Sequence, residues 1–150
     1  MIFVTVGTTG PFDELLQEVD RLAGADVFGE HVICQGGQSK YRMRHGEQFV
    51  ARPSIADLIA DSSLVISHGG STVTELLRAR KPFVAFPNPR LADDHQTIFL
   101  QQIAAIADIS WSRDVADLAP LYKERRARGP ASLRADLPRA GDIIRQLWNG

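Results

Sequence analysis

Several features that would assign a function directly are scarce or absent in this sequence. It has one cysteine, Cys34, in 150 residues, so no disulfide can form within the chain. Cys34 lies in the apolar run His31–Gln35, where a thiol is expected to be a small buried group and not a nucleophile. No apolar run approaches the roughly 20 residues of a membrane-spanning helix, and no basic segment precedes the strand-like start. We therefore expect a cytoplasmic protein, and if it works at a membrane, something else must hold it there.

An excess of charge of either sign is also missing. The 17 Lys and Arg residues nearly balance the 18 Asp and Glu residues, giving a net charge of -1, and this predicts no general affinity for nucleic acid. The segment after residue 118 is nonetheless basic, with Arg125, Arg126 and Arg128 close together. A solvated helical face or a contact with anionic lipid would each explain this cluster.

Three nucleotide and catalytic motifs are absent. No GxGxxG follows the first strand and no acidic residue follows the second, which argues against a dinucleotide oxidoreductase. The P-loop lysine and the G-x-S-x-G of serine hydrolases are missing too. Potential metal ligands do not cluster with suitable spacing, so we expect no metal and no cofactor.

Short apolar runs do alternate with helical patterns along the whole chain. Six runs predict strands buried on both faces of a parallel sheet: Ile2–Val6, His31–Gln35, Gln48–Ala51, Leu64–Ser67, Phe83–Phe86 and Ile106–Trp111. We therefore predict one α/β domain spanning residues 1–150, a Rossmann-like, doubly wound parallel sheet of about six strands. In the common order 3-2-1-4-5-6, strands 1 and 4 are neighbours, and ligands bind at their carboxyl ends. This places the turns Gly7–Gly10 and His68–Ser71 in one crevice.

The segment SHGGSTVTE, Ser67–Glu75, joins the fourth strand to a helix. Backbone N–H groups at a helix start, with glycines at 69 and 70 and the hydroxyls of Ser71 and Thr72, suit a phosphate or pyrophosphate. The alternative is structural: Thr72 and Glu75 have the spacing of a capping box, and the glycines would then form only a tight strand-to-helix turn. His68 is a candidate donor to a phosphate oxygen, or a histidine satisfied by nearby backbone.

Two further clusters follow neighbouring strands. Gln35, Gly36 and Gly37 end the second strand and would border the same crevice. After the fifth strand, Asp94, His95 and Gln96 offer a carboxylate, an imidazole and an amide for sugar hydroxyls. Asp93 and Gln96 form an alternative capping pair.

Taken together, three segments resemble glycosyltransferase family 28. They are FVTVGTTGPFDELL at the start, DSSLVISHGGSTVTELLRARKPFVAFPNP in the middle and DDHQ after it, in the family's order over roughly residues 1–105. The sequence is similar to the C-terminal, donor-binding domain of MurG-like enzymes. It is most similar to short stand-alone members, such as PssE-like exopolysaccharide proteins and the soluble subunit of the dolichol-linked N-acetylglucosaminyltransferase.

The resemblance implies one half of a GT-B fold that binds a UDP-sugar. It implies that donor diphosphate contacts come from the two turns, that Glu75 holds the ribose, and that Asp94, His95 and Gln96 lie by the transferred sugar. The predicted diphosphate residues are Gly7, Thr8, Thr9, His68, Gly69, Gly70, Ser71 and Thr72.

The same resemblance implies an enzyme completed by a partner. In short members a membrane-anchored subunit supplies the other half and the lipid-linked acceptor site, and we expect it to bring the general base, since no convincing base is visible here. The function expected is that of a donor-binding subunit of an inverting UDP-sugar transferase in polysaccharide or glycoconjugate synthesis. The alternatives are a non-catalytic UDP-sugar-binding regulatory or scaffold protein, and a homodimeric small transferase or epimerase-like enzyme.

The last residues match no family segment. Ile143, Ile144, Leu147 and Trp148 form an apolar stripe on a predicted terminal helix, Gly141–Trp148. The stripe would pack on the protein's own sheet or dock on a partner subunit.

Overall fold

The structure, a computed structural model, describes residues 1–91 and 94–134. Its strands form one six-stranded, all-parallel sheet in the order β3-β2-β1-β4-β5-β6. Their bounds are β1 Ile2–Thr5, β2 Val32–Gln35, β3 Glu47–Phe49, β4 Leu64–His68, β5 Phe83–Phe86 and β6 Ser110–Trp111. The predicted α/β class, strand number and strand order are confirmed.

The sixth strand is shorter than predicted because part of it pairs elsewhere. Ala107 forms an isolated antiparallel bridge with Leu133, and the N–H of Asp108 donates to the carbonyl of Ser132 at 3.1 Å. The backbone of residues 106–108 thus pairs with the chain that follows α5. Within the predicted sixth strand, the residues that pair with β5 are Ser110 and Trp111.

Helices cover both faces of the sheet. Their bounds are α1 Asp13–Gly24, α2 Ala56–Asp61, α3 Thr72–Arg78, α4 His95–Ala104 and α5 Leu118–Arg128, with a 3-10 turn at Val115–Asp117 before α5. In α1, acidic residues in the first turn and Arg21 in the last complement the helix dipole. Among the described residues, no helix is long and apolar enough to cross a bilayer.

The core has two halves because strand side chains alternate between faces. Ile2 and Val4 of β1 pack with α1 and α5, whereas Phe3 packs with residues of α2, α3 and α4. Cys34 is fully buried in the first half, and burial raises the pKa of its thiol to about 12. The prediction of an inert, apolar cysteine is confirmed.

Arg125 fits neither interpretation of the basic cluster, a solvated helical face or a contact with anionic lipid. Its side chain is fully buried, its Nε donates to the Ser110 hydroxyl at 2.9 Å, and its other nitrogens reach the carbonyls of Gly129 and Asp108. It therefore ties the end of α5 to β6 and faces neither solvent nor lipid. Arg126 and Arg128 lie at the surface in ion pairs with Glu30, and with Asp108 and Glu124. The predicted helix Gly141–Trp148 and its stripe lie outside the described residues.

Candidate functional site

A cavity of about 360 Å³ opens at the carboxyl edge of β1 and β4. Its volume is in the range of small-molecule sites, roughly 300–1,000 Å³. Eight of the predicted site residues line it: Gly7, Thr8, Thr9, His68, Gly70, Ser71, Thr72 and Gln96. β1 and β4 are paired in parallel with Thr5 opposite Ser67, so the turns that follow them must emerge side by side.

The glycines of these turns make room for the His68 ring. A Cβ at Gly70 would lie 2.3 Å from His68 Cε1, and one at Gly7 would lie 2.9 Å from Cε1 and Nε2. Gly7 also has a φ of 74°, which side-chain-bearing residues rarely adopt. The sequence predicts that the glycine at 70 lets a phosphate approach, whereas in the structure a Cβ at this position would first meet the imidazole.

His68 is held as a neutral imidazole. Its side chain is buried, and that burial lowers its pKa to about 4 although a contact with Gln96 acts in the opposite direction. Its Nδ1 lies 3.1 Å from Gln96 Nε2, whereas its Nε2 has no hydrogen-bond partner among the described residues. A buried unpartnered polar atom costs about 1–3 kcal/mol, which makes this nitrogen a candidate ligand contact.

Gln96 joins two turns of the sheet edge. Its Oε1 accepts the backbone N–H of Gly69 at 3.1 Å and that of Asn88 at 2.8 Å. The Nδ2 of Asn88 in turn donates to the carbonyl of Pro11 at 2.9 Å. These bonds connect the turns after β1, β4 and β5. Gln96 is therefore buried inside the site's framework, and sequence reasoning gave no signal of this.

The N-terminus of α3 lacks the capping box considered from the sequence. Ser71 occupies the N-cap with helical backbone angles and makes no side-chain capping bond. The Thr74 hydroxyl donates to the Ser71 carbonyl at 2.7 Å. α3 has only seven residues, so its dipole is weaker than that of a long helix.

Four predicted residues do not line the cavity. The N–H of Gly69 is bound by Gln96, and a Cβ there would meet Leu100 at 2.8 Å. Glu75 is exposed on α3, one turn beyond Thr72. His95 is exposed, and the Asp94 carboxylate accepts the Thr97 hydroxyl at 2.7 Å and an Arg113 N–H at 3.3 Å. The structure thus separates the DDHQ cluster: Gln96 faces the cavity, and its two predecessors lie outside the lining. Asp93 is outside the described residues.

Sequence reasoning missed much of the opposite wall. Gln35 was expected at the border and is found there, joined by Thr5, Arg52, Pro53, Ser54 and Ile55. The guanidinium of Arg52 stacks on Phe49 at 4.2 Å from the ring centroid. Its position just after β3 was the only available signal, since the carboxyl ends of all parallel strands meet at this edge.

The lining favours an anionic ligand. Arg52 supplies a cation, the threonine and serine hydroxyls supply donors, and no lining residue within the described parts of the chain is Asp or Glu. No group of three or more His, Cys, Asp and Glu side chains occurs within residues 1–91 and 94–134 in a position to hold a metal.

Comparison with known proteins gives consistent matches. Residues 1–107 match the sequence model of the glycosyltransferase family 28 C-terminal domain. Over 104 residues the chain is 32% identical to the UDP-N-acetylglucosamine–N-acetylmuramyl-(pentapeptide) pyrophosphoryl-undecaprenol N-acetylglucosamine transferase of Magnetococcus marinus, covering 67% of this chain and 28% of the relative. It is 33% identical over 99 residues to the enzyme of the same name from Solibacter usitatus, covering 63% of this chain and 26% of the relative. The chain thus spans about a quarter of these relatives' length.

Two solved structures share the fold. The glycotransferase of kitacinnamycin superposes with a TM-score of 0.58 and 14% identity, over 99% of this chain and 38% of that one. MurG of Acinetobacter baumannii superposes with a TM-score of 0.51 and 16% identity, over 99% and 49%. At these identities the likeness establishes architecture, which is that of half a GT-B glycosyltransferase.

Proposed function

Because this chain belongs to glycosyltransferase family 28, as a C-terminal, donor-binding domain of the MurG type, we propose that its cavity binds a UDP-sugar. In this proposal it is the donor-binding subunit of a heteromeric, inverting glycosyltransferase with a lipid-linked acceptor. The names of these relatives specify a UDP-N-acetylglucosamine donor and a pyrophosphoryl-undecaprenol acceptor. Those names motivate the nucleotide and the acceptor class, and the sugar and acceptor of this chain are left open.

One observation carries the proposal: a carboxylate-free lining, over the described residues, surrounds an unpartnered imidazole nitrogen. A diphosphate carries oxygen acceptors that would satisfy this nitrogen. His68 Nε2 lies against Gly7 with almost no exposed area, so ligand contact requires a small shift of the Gly7 turn. The diphosphate residues we propose are Gly7, Thr8, Thr9, His68, Gly70, Ser71 and Thr72, with Gly69 acting through Gln96.

The remaining donor contacts extend from the cavity. Glu75 follows Thr72 by one helical turn, from where a carboxylate can accept hydrogen bonds from ribose hydroxyls. Asp94 and His95 immediately precede Gln96 at the start of α4 and are the proposed contacts of the transferred sugar. Arg52, not anticipated from the sequence, adds a positive charge that favours the leaving diphosphate.

The cavity contains no group suited to be the general base of the transfer. His68 is the lining's titratable nitrogen base, and a pKa of about 4 makes it weak at neutral pH. Its Nδ1 is already occupied by Gln96. No carboxylate lies among the described lining residues. We therefore propose that a membrane-anchored partner supplies the base and the acceptor site, which would hold this subunit at the inner face of the membrane. The charge of the leaving diphosphate is offset by the donors above, without a metal.

The lack of a general base among the described lining residues also favours a second candidate function. In this alternative the chain is a regulatory or scaffold protein that binds a UDP-sugar without turnover. The two differ in one experiment: co-expression with a candidate membrane partner and an assay of sugar transfer across several UDP-sugars. Transfer that requires both chains supports the enzyme. Binding without transfer for every pair tested supports the scaffold. Activity of this chain alone as a dimer would support the remaining alternative, a homodimeric transferase or epimerase-like enzyme.

The binding proposal itself is tested by calorimetry with UDP. Gly70→Val should abolish measurable binding because its side chain would displace the His68 ring. Glu75→Ala should weaken binding by about tenfold, the value of a hydrogen bond to a charged group. Gln17→Ala is the control, since Gln17 is exposed on α1 and does not line the cavity. Unchanged UDP affinity in folded Gly70→Val and Glu75→Ala proteins would reject the assignment.

A further inference from the structure

The side-chain amide of Gln96 has a fixed orientation. Its Oε1 receives two backbone N–H donors, from Gly69 at 3.1 Å and from Asn88 at 2.8 Å. Rotating the amide by half a turn would place its NH₂ group against those two donors and leave two N–H groups unsatisfied. The oxygen therefore stays on the backbone side, and Nε2 stays on the His68 side.

This orientation decides where the His68 proton sits. Gln96 Nε2 carries only donors and lies 3.1 Å from His68 Nδ1, so Nδ1 must accept. In a neutral imidazole the proton then resides on Nε2. That nitrogen is buried and has no hydrogen-bond partner within residues 1–91 and 94–134, in a side chain that lines the cavity. The ring thus offers one donor to a ligand and none to the framework.

Three groups that lie against the His68 ring carry no charge. Gly7 faces it from the turn after β1, Gly70 from the turn after β4, and Gln96 from α4. Burial lowers the pKa of His68 to about 4, with the Gln96 contact opposing it, and no charged residue contributes. The imidazole therefore stays neutral between pH 6 and pH 8.

We infer that Gln96 is a positioning residue: its amide fixes the Nε2–H tautomer of His68, and it does not bind the sugar through its carbonyl oxygen. The identity of the ligand rests on the proposed function. Gln96 also holds the Gly69 N–H and the Asn88 turn, so one side chain sets the donor direction of His68 and the geometry of two turns. A ligand oxygen that meets His68 encounters a neutral donor at every pH near 7.

The tautomer is measurable in the free protein by ¹⁵N-detected NMR of histidine-labelled chain, with His68→Gln identifying the signals. We expect a protonated Nε2 and an unprotonated Nδ1 in the wild type. Gln96→Glu changes only the donor amide to a carboxylate, which accepts from Nδ1–H. In this variant we expect the proton on Nδ1 and a His68 pKa raised by about 2 units, as an adjacent opposite charge does. The exposed Gln102→Glu on α4 is the matched control and should leave both unchanged.

The affinity for UDP provides a second measurement of the effect of the His68 tautomer. In Gln96→Glu at pH 8, Nε2 presents a lone pair to the ligand, so binding should fall by tenfold or more, and it should recover towards pH 6 as the ring becomes charged. The wild type and Gln102→Glu should show no such recovery.

The two proposals fail separately. A wild-type proton on Nδ1, or an unchanged His68 tautomer and pKa in Gln96→Glu, would overturn the positioning role whatever the ligand. The tautomer itself is measured on the wild-type protein, and His68→Gln serves only to identify the His68 signals. If UDP binds no form of the chain while the spectra follow expectation, the positioning role stands and the UDP proposal is rejected.

Discussion

Two buried ionisable side chains, Asp20 and His68, differ in how many of their polar atoms have hydrogen-bond partners. Asp20 on α1 accepts the Tyr41 hydroxyl at 2.6 Å and the backbone N–H groups of Arg44 and His45, and also contacts the His45 ring. Burial raises its pKa, but these hydrogen bonds outweigh that effect and hold the pKa below its usual value. Asp20 fastens the loop between β2 and β3 to the body of the domain.

In the part of the chain that the structure describes, His68 has a hydrogen-bond partner on one ring nitrogen only. Leaving a buried donor unpaired lowers stability, whereas Asp20 has donors on both of its oxygens. The difference separates a side chain that stabilises the fold from one that we propose to contact a ligand. Substitutions at Asp20 and at His68 should therefore change different measured properties of the protein.

The largest effect should appear in the acid dependence of stability. The pKa of His68 is about 4 when folded and about 6.5 when unfolded, so the unfolded chain binds the extra proton between these values. The free energy of unfolding should therefore fall by up to about 3 kcal/mol as pH drops from 6.5 to 4. His68→Gln does not titrate and should remove this part of the slope. Urea titrations across this pH range measure it, and equal slopes in both proteins would contradict a buried neutral His68.

Asp20→Ala should give the next largest change, at neutral pH. It leaves the donors of Tyr41, Arg44 and His45 without their shared acceptor, which should lower the free energy of unfolding by about 2–3 kcal/mol. UDP affinity should stay within about twofold. Gln17→Ala, exposed on the same helix, is the control.

Asp20 also has its own pH window. Because its folded pKa is lowered, its stabilising effect is present above the unfolded pKa, near 4, and is lost as pH falls further. Asp20→Asn should therefore flatten the stability profile below pH 4, whereas His68→Gln flattens it above. Overlapping windows would show that the two groups do not differ as described.

The smallest effect should follow Arg52→Ala. Arg52 is exposed, so its attraction for a diphosphate is screened, and we expect a three- to fivefold loss of UDP affinity at low salt that vanishes near 0.5 M salt. Calorimetry at the two salt concentrations measures it, with the exposed Arg42→Ala as control. A loss independent of salt would assign Arg52 a packing role through Phe49 instead.

The sheet edge shows how far sequence patterns extend into a site. Two glycine-containing turns after buried strands sufficed to predict that Gly7 and His68 meet, because strand order fixes which turns are neighbours. The same reasoning did not find Arg52, because an arginine after an irregular third strand has no distinctive pattern. It also misjudged Arg125, because an arginine in a basic run is predicted to be exposed. Its burial is explained by the backbone carbonyls that accept its N–H groups.

The alternation of apolar runs and helices by itself predicted the parallel sheet, because local periodicity is a property of short segments. The common strand order of doubly wound folds then predicted the crevice at β1 and β4. Tertiary structure alone decided what the polar side chains at that edge do. Gln96 and Asp94 are two residues apart in one motif, yet Gln96 holds the His68 ring inside the site while Asp94 pairs outside the cavity lining. Hydrogen-bond partners come from strands and turns far apart in the chain, so only the folded arrangement assigns them.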